Sequence, residues 1–301
     1  MTNAPGAKTR YSVVLLATAV ASVSRRVRFP GRERLLRWSF PPDRFRGMRG
    51  PHEFTVSYDR SMKFRCDLGS YLEWGVFFKG YYVPDLSLAI KKLVKPGMCA
   101  VDIGANVGAY TLLIAKGVGR GGKVVSFEPN PEVFRRLEHN IALNGLQDRV
   151  RLWSLALSNR RGEAVLYVPR EDFANRAISS LRKYADILTE TTRVEVRTLD
   201  GVFRDLSLDR LDFLKIDTDG SDALIIQGGM ETIVRYRPVI IFEANYLAHS
   251  DAGISIESVR QALKSSDYSF CTVGVFGRLV PCPMHRPLPD SDIVCIPEKA
   301  S

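Results

Sequence analysis

Apolar residues in this chain fall into two patterns: short continuous runs, and longer segments in which they recur every three or four positions. Runs of the first kind occupy 99–103, 123–127, 150–156, 211–216 and 239–242, the pattern of strands buried on both faces. The helical period occupies 86–94, 109–116, 131–143, 222–236 and 256–265. Pro131 stands at the start of one of these helices and Gly145 just past its end. Two further strands, 268–272 and 292–296, close the series. Strands alternating with helices predict an α/β fold built on a doubly wound, mostly parallel, seven-stranded sheet. Segment 54–68 reads as two short strands around a turn at Asp59-Arg60-Ser61, and 162–167 with 193–197 as an added antiparallel pair. Pro41-Pro42 and the 47–51 cluster read as a linker, separating an N-terminal extension, 1–52, from the main domain, 53–301.

The charge is unevenly spread. The chain carries a formal net +10, and residues 1–60 hold 12 Lys and Arg against 4 Asp and Glu, a net of +8. The rest is therefore nearly neutral, and nucleic acid as substrate gains no support. Segment 11–23, YSVVLLATAVASV, is a weakly apolar run flanked by Lys8, Arg10, Arg25 and Arg26, too short to span a bilayer. Segment 25–37 then sets Val27, Leu35 and Leu36 among six arginines. The segment reads as a basic leader or packed helix ahead of an interfacial anchor for anionic lipid, and as retained rather than cleaved. Five cysteines, odd in number and without a C-x-x-C pair, point to reduced thiols and a cytoplasmic protein, with peripheral membrane contact through the basic segment.

Chemistry concentrates in VDIGANVGAYT, 101–111, and VVSFEPN, 124–130. Each strand ends in a turn, the first glycine-rich and the second acidic, the arrangement that receives a nucleoside-bearing cofactor. Gly104 and Gly108 allow a sharp turn into a helix and close approach of a ligand. Glu128 is placed to accept hydrogen bonds from ribose hydroxyls. A dinucleotide fingerprint needs G-x-G-x-x-G for its pyrophosphate, but Asn106 stands where its second glycine would be. Asp102 before the turn would repel a pyrophosphate and suits the ammonium of an amino-acid moiety. S-adenosylmethionine (SAM), cationic and without phosphate, fits better than NAD.

These motifs, with SFEPNPEVFRRLEHNIALNG, LALSNRRGEAVLYV, LKIDTDGSDALIIQGG and PVIIFEAN in the same order, resemble the FkbM family of SAM-dependent O-methyltransferases over residues 54–296. The resemblance implies a class I methyltransferase (Rossmann-like) fold and a hydroxyl acceptor, often a sugar or a secondary metabolite. Two positions depart from the family pattern. Asp217-Thr218-Asp219-Gly220 stands where D-x-E-G is usual, and Gly80-Tyr81-Tyr82-Val83 where an acid usually follows the aromatic residue.

In such sheets ligands sit beyond the carboxyl ends of the strands, so polar strand ends are the candidates. Asp102, Gly104, Asn106, Gly108 and Glu128 are assigned to the cofactor, with Ala156 against the adenine. An alcohol must lose its proton to attack a methyl group. Asp217, Asp219 or His249, in the loop after the fifth strand, can act as base. In a second solution Asp217, Glu243 and Asn245, all hard oxygen ligands, hold Mg²⁺ or another divalent cation. Lys215, two residues before Asp217, reads as a paired structural lysine. Segment 169–192 interrupts the core and offers Asn175, Arg176, Ser179, Ser180 and Arg182 as a lid over substrate. Two other functions share the strand–turn–helix start: an NAD(P)-dependent oxidoreductase, and a non-catalytic SAM-binding or membrane-adaptor protein.

Overall fold

The computed structural model describes residues 7–27, 29–46, 53–169, 179–181, 189–245, 255–283 and 285–298. They form two compact units, one reaching to Pro84 and the other starting at Asp85.

In the first unit, α1 (Ala7–Ser24), α2 (Arg32–Ser39) and α3 (Pro42–Arg46) precede a hairpin of β1 (Glu53–Tyr58) and β2 (Met62–Asp67), followed by α4 (Tyr71–Lys79). The hairpin turns where the sequence places it, with Asp59 and Arg60 at positive φ. Helix α4 is buried from Leu72 to Lys79. Trp74 Nε1 donates to the Phe40 carbonyl at 2.7 Å, and the Trp74 and Phe40 rings both pack on Phe78. Helix α1 packs on α4 through small residues, Ala17, Ala21 and Ser24.

The second unit opens with α5 (Pro84–Leu93) and contains β3 (Cys99–Ile103), α6 (Ala109–Val118), β4 (Lys123–Phe127), α7 (Pro131–Ala142) and β5 (Val150–Trp153). There follow β6 (Ala156–Leu157), β7 (Gly162–Pro169), β8 (Thr189–Arg197), α8 (Leu199–Asp205), β9 (Phe213–Ile216), α9 (Asp222–Gln227), α10 (Met230–Tyr236) and β10 (Val239–Glu243). The unit ends with α11 (Ile256–Lys264), β11 (Tyr268–Gly274), β12 (Arg278–Pro281) and β13 (Asp292–Pro297). The sheet order is β12-β11-β13-β10-β9-β3-β4-β5. Strands β5, β4, β3, β9 and β10 run parallel, and β13 enters antiparallel between β10 and β11. Reversal of strand order beside β3 creates a crevice at the carboxyl ends of β3 and β9. The central strands β3 and β9 are buried along their whole length, as mainly apolar strands are when both faces are covered, and each carries one buried charged residue, Asp102 and Lys215.

Three expectations change. The sheet has eight strands rather than seven, because the chain turns at Val275–Gly277 and adds β12 at the edge. Pro281 is tolerated there as an edge residue. The helix expected over 222–236 is two helices, α9 and α10. A Cβ at Gly228 would lie 2.3 Å from the Ser158 carbonyl oxygen, and one at Gly229 2.6 Å from Leu199 Cδ2, so close packing explains the break. The strand expected over 150–156 ends at Trp153, and Ala156–Leu157 leaves the main sheet to pair with β8. The antiparallel pair β7–β8 is present as expected and becomes a three-stranded sheet with β6.

Candidate active site

The turn after β3 is shaped by the main chain. Gly104 and Ala105 N–H groups both donate to the Phe127 carbonyl at the end of β4, at 3.0 and 2.9 Å. Gly104 has φ +74°, and a Cβ there would fall 1.9 Å from the Asp217 carbonyl oxygen. Gly108 has φ +94°, with Leu137 Cδ1 at 2.8 Å from the place of a Cβ. Both glycines are therefore required by backbone conformation and by packing of the protein on itself, independently of any ligand.

Glu128 closes this turn. One of its carboxylate oxygens accepts the Asn106 N–H at 2.9 Å and the other accepts the Asn130 N–H at 2.9 Å. Each oxygen keeps a further lone pair for a hydroxyl donor. Burial pushes its pKa up to about 7 against those two hydrogen bonds. Asn130 caps α7, its side-chain oxygen accepting from Glu132 N–H, while its amide donates to Ser179 Oγ at 2.8 Å.

Asp102 is fully buried, with one oxygen hydrogen-bonded and the other without a hydrogen-bond partner among the described residues. One accepts the Thr111 hydroxyl at 2.6 Å and the other lies 3.8 Å from Lys215 Nζ. The ammonium that this carboxylate meets in the structure is that of Lys215, which burial rules out as a solvated surface group. Lys215 also donates to Asp217 at 3.0 Å and lies 4.5 Å from the centre of the Tyr110 ring. Burial alone would lower the lysine pKa, but Asp217 and Asp102 outweigh it and the net shift is upward.

Asp217 stands at the mouth of the crevice, its side chain about one-third exposed. Asp219 follows at φ +48°. Burial first, then Asp217 and Glu243, raise its pKa to about 8. Glu243 rises to about 7 from burial, Asp217 and Asp222. Two acids missed by the sequence reading complete the group. Asp222, buried at the start of α9, accepts Thr218 N–H at 3.0 Å and Glu243 N–H at 3.0 Å. Asp292 lies opposite Glu243 in the β10–β13 register, and burial with Asp217 raises it to about 7. Strand β13 runs antiparallel, so its start lies beside the carboxyl end of β10. The signal was present in the Asp-Ser-Asp that opens this strand.

Among the described residues no three His, Cys, Asp or Glu side chains are placed to hold a metal ion. The set Asp217, Glu243 and Asn245 thus gains no support as a cation site. Burial and mutual repulsion raise the pKa of Asp219, Glu243 and Asp292, and Lys215 lies against Asp217. Ala156 sits in β6, packed with Leu166, Val194 and Val196 in the small sheet. His249, Asn175, Arg176 and Arg182 lie outside the described residues. Ser179 and Ser180, which are described, do reach the site. Ser180 bridges to Tyr167 through the main chain, and its hydroxyl donates to the Asp219 carbonyl at 3.3 Å.

The donor set fits SAM: Glu128 can take two hydroxyl hydrogen bonds, and the crevice is acidic and suits a cation. Residues 102–270 match the Methyltransferase FkbM domain. The chain is 26% identical over 197 residues to the 2-O-methyltransferase NoeI of Sinorhizobium fredii, covering 57% of this chain and 79% of that protein. It is 28% identical over 168 residues to the AMB antimetabolite synthetase AmbE of Pseudomonas aeruginosa, covering 45% of this chain but only 8% of the synthetase. Among solved structures, Methyltransferase FkbM from Methylobacillus flagellatus is 14% identical with a TM-score of 0.42, covering 95% of this chain and 60% of that one.

Proposed function

The chain belongs to the FkbM methyltransferase family, and from that premise we propose that it methylates a hydroxyl oxygen of a small molecule, with SAM as donor. A sugar in a glycolipid or glycan precursor is the first acceptor class, and a secondary metabolite the second. The name 2-O-methyltransferase carried by NoeI supports the hydroxyl, and the antimetabolite synthetase supports the second class. Glu128 is the observation that carries the reading. It is a buried carboxylate at a strand end whose two oxygens are fixed by main-chain N–H groups and aimed at the turn after β3.

When bound, SAM supplies an electrophilic methyl group on a sulfonium. Glu128 would accept the ribose hydroxyls, and the 104–108 turn, braced by Phe127 and Asp217, would hold the nucleoside. Asp219 would take the proton of the acceptor hydroxyl on a carboxylate oxygen as the new O–C bond forms and the sulfonium S–CH3 bond breaks, its electron pair staying on sulfur as a neutral thioether. Its pKa of about 8 lies close to a working pH, where a base combines availability with driving force. Asp217, fixed by Lys215, adds the negative charge that favours a cationic donor.

Thermal unfolding with and without SAM tests the cofactor half of this reading. Ligand at about 100 times its dissociation constant should add about 2.7 kcal/mol, and Glu128→Ala should abolish the gain. An equal gain in the variant would remove Glu128 from the site. Methyl transfer from labelled SAM to a panel of hydroxylated sugars and metabolites tests the other half.

A further inference from the structure

Helix α1 leaves part of its large apolar surface uncovered, with Val13, Val14 and Val20 half-buried and Leu15, Leu16 and Val23 exposed. The side facing its own unit is lined by Ala17, Ala21 and Ser24, all buried. Leu15 is 70% exposed, Leu16 58% and Val23 61%. A helix stabilised only by packing on its own domain turns its large apolar side chains inward, so this one is arranged for a second apolar phase. The chain after it repeats the pattern, with Val27, Phe29, Leu35 and Trp38 exposed, Trp38 at 82%. Seven of the twelve exposed large hydrophobics among the described residues thus fall between Leu15 and Trp38. No described helix is long and apolar enough to cross a membrane.

Charge accompanies this surface. Arg26 and Arg34 are exposed within it. At the carboxyl end of α1 lies a cleft of about 670 Å³ lined by Ser22, Arg25, Arg26, Arg60, Lys79 and Tyr81, with Asp59 as its one carboxylate. Asp59 is buried and accepts the Tyr81 hydroxyl at 2.5 Å. Lys79 is paired with Glu33 at 3.2 Å. Arg25 is held by three main-chain carbonyls, those of Phe77, Ser57 and Val76, and pairs with no carboxylate among the described residues. Its charge is left for an outside anion.

We propose that the exposed apolar side chains of α1 and α2, with the arginine-lined cleft beside them, form a docking surface for the face of an anionic phospholipid bilayer. Leu15, Leu16, Val23 and Trp38 enter the boundary between head groups and acyl chains, and the arginines receive lipid phosphates. Such a surface lies in the interface plane, where apolar burial and attraction to anionic lipid add. The inference does not depend on the methyl-transfer reading.

Co-sedimentation of the full chain with phosphatidylcholine vesicles, with and without phosphatidylglycerol, tests it. The chain should pellet with the phosphatidylglycerol vesicles and be released by high salt. Val23→Asp with Trp38→Asp should lower the partition about tenfold or more, since each change removes a large apolar contact. Arg26→Glu with Arg60→Glu should do the same on anionic vesicles only. These positions are exposed, and an unchanged unfolding transition would show that the variants fold. A chain that stays in the supernatant, or that pellets equally on both vesicles, overturns the proposal. So does light scattering that shows a dimer broken by Val23→Asp, which would assign the surface to a second copy.

Discussion

Replacing Asp219 with asparagine should lower methyl transfer by about 10²–10⁴-fold, the range expected for loss of a general base, while leaving stabilisation by SAM intact. The substitution keeps size and hydrogen-bonding capacity but cannot take a proton. The pH profile separates this role from a structural one. With its pKa raised to about 8, Asp219 is mostly protonated at neutral pH and active only when ionised. For the natural chain, kcat/KM should rise with pH and level off above about 8. The same limb of kcat should sit lower, because a cationic ligand in the acidic crevice favours the ionised form. In Asp219→Asn the limb should vanish. Near-normal turnover with an unchanged limb would transfer the role to another group of the crevice. The same raised carboxylates, Asp219, Glu243 and Asp292, bind more protons folded than unfolded. They therefore favour folding most at low pH, and that contribution is lost as pH climbs towards 8.

Lys215→Met should cost about 3–5 kcal/mol of folding stability, the range for removing one partner of a buried ion pair. Asp102, with no exposed surface, would keep only the Thr111 hydroxyl. Asp217 is partly exposed and would lose less. Two results would identify the cause. Adding Asp102→Asn should restore much of the loss, because the uncompensated charge is then gone. Lowering the pH should also rescue the single variant, since a buried carboxylate facing no cation is stable once protonated. A loss below about 1 kcal/mol in denaturant unfolding would show that Lys215 is dispensable to the core.

What could be read in the sequence follows what is local. Strand β3 with its glycine turn and β4 with Glu128 are local motifs, and the structure places them at neighbouring strand ends as expected. The central strands were equally plain, because burial on both faces leaves short, mainly apolar runs, broken in β3 and β9 only by Asp102 and Lys215. The misses are non-local. Asp292 reaches the crevice only because β13 is antiparallel, a fact of pairing that no run of residues displays. Gly228 and Gly229 look like ordinary helix interruptions until Ser158 and Leu199 arrive from elsewhere in the chain. Lys215 and Asp102 are 113 positions apart by number, and their pairing depends on β3 and β9 being neighbours.

The serine pair gives the site a mechanical property. Ser179 is bonded to Asn130, two residues after Glu128, and Ser180 to the carbonyl of Asp219. One dipeptide thus spans from the strand end proposed to receive the donor to the turn that carries the proposed base. Whatever stiffens one anchor restrains the other, so the affinities for donor and acceptor should be thermodynamically linked, each raising the other by the same factor. Such reciprocity would favour an ordered encounter, with the donor seated before the acceptor is gripped, and would keep a half-filled site from closing on water.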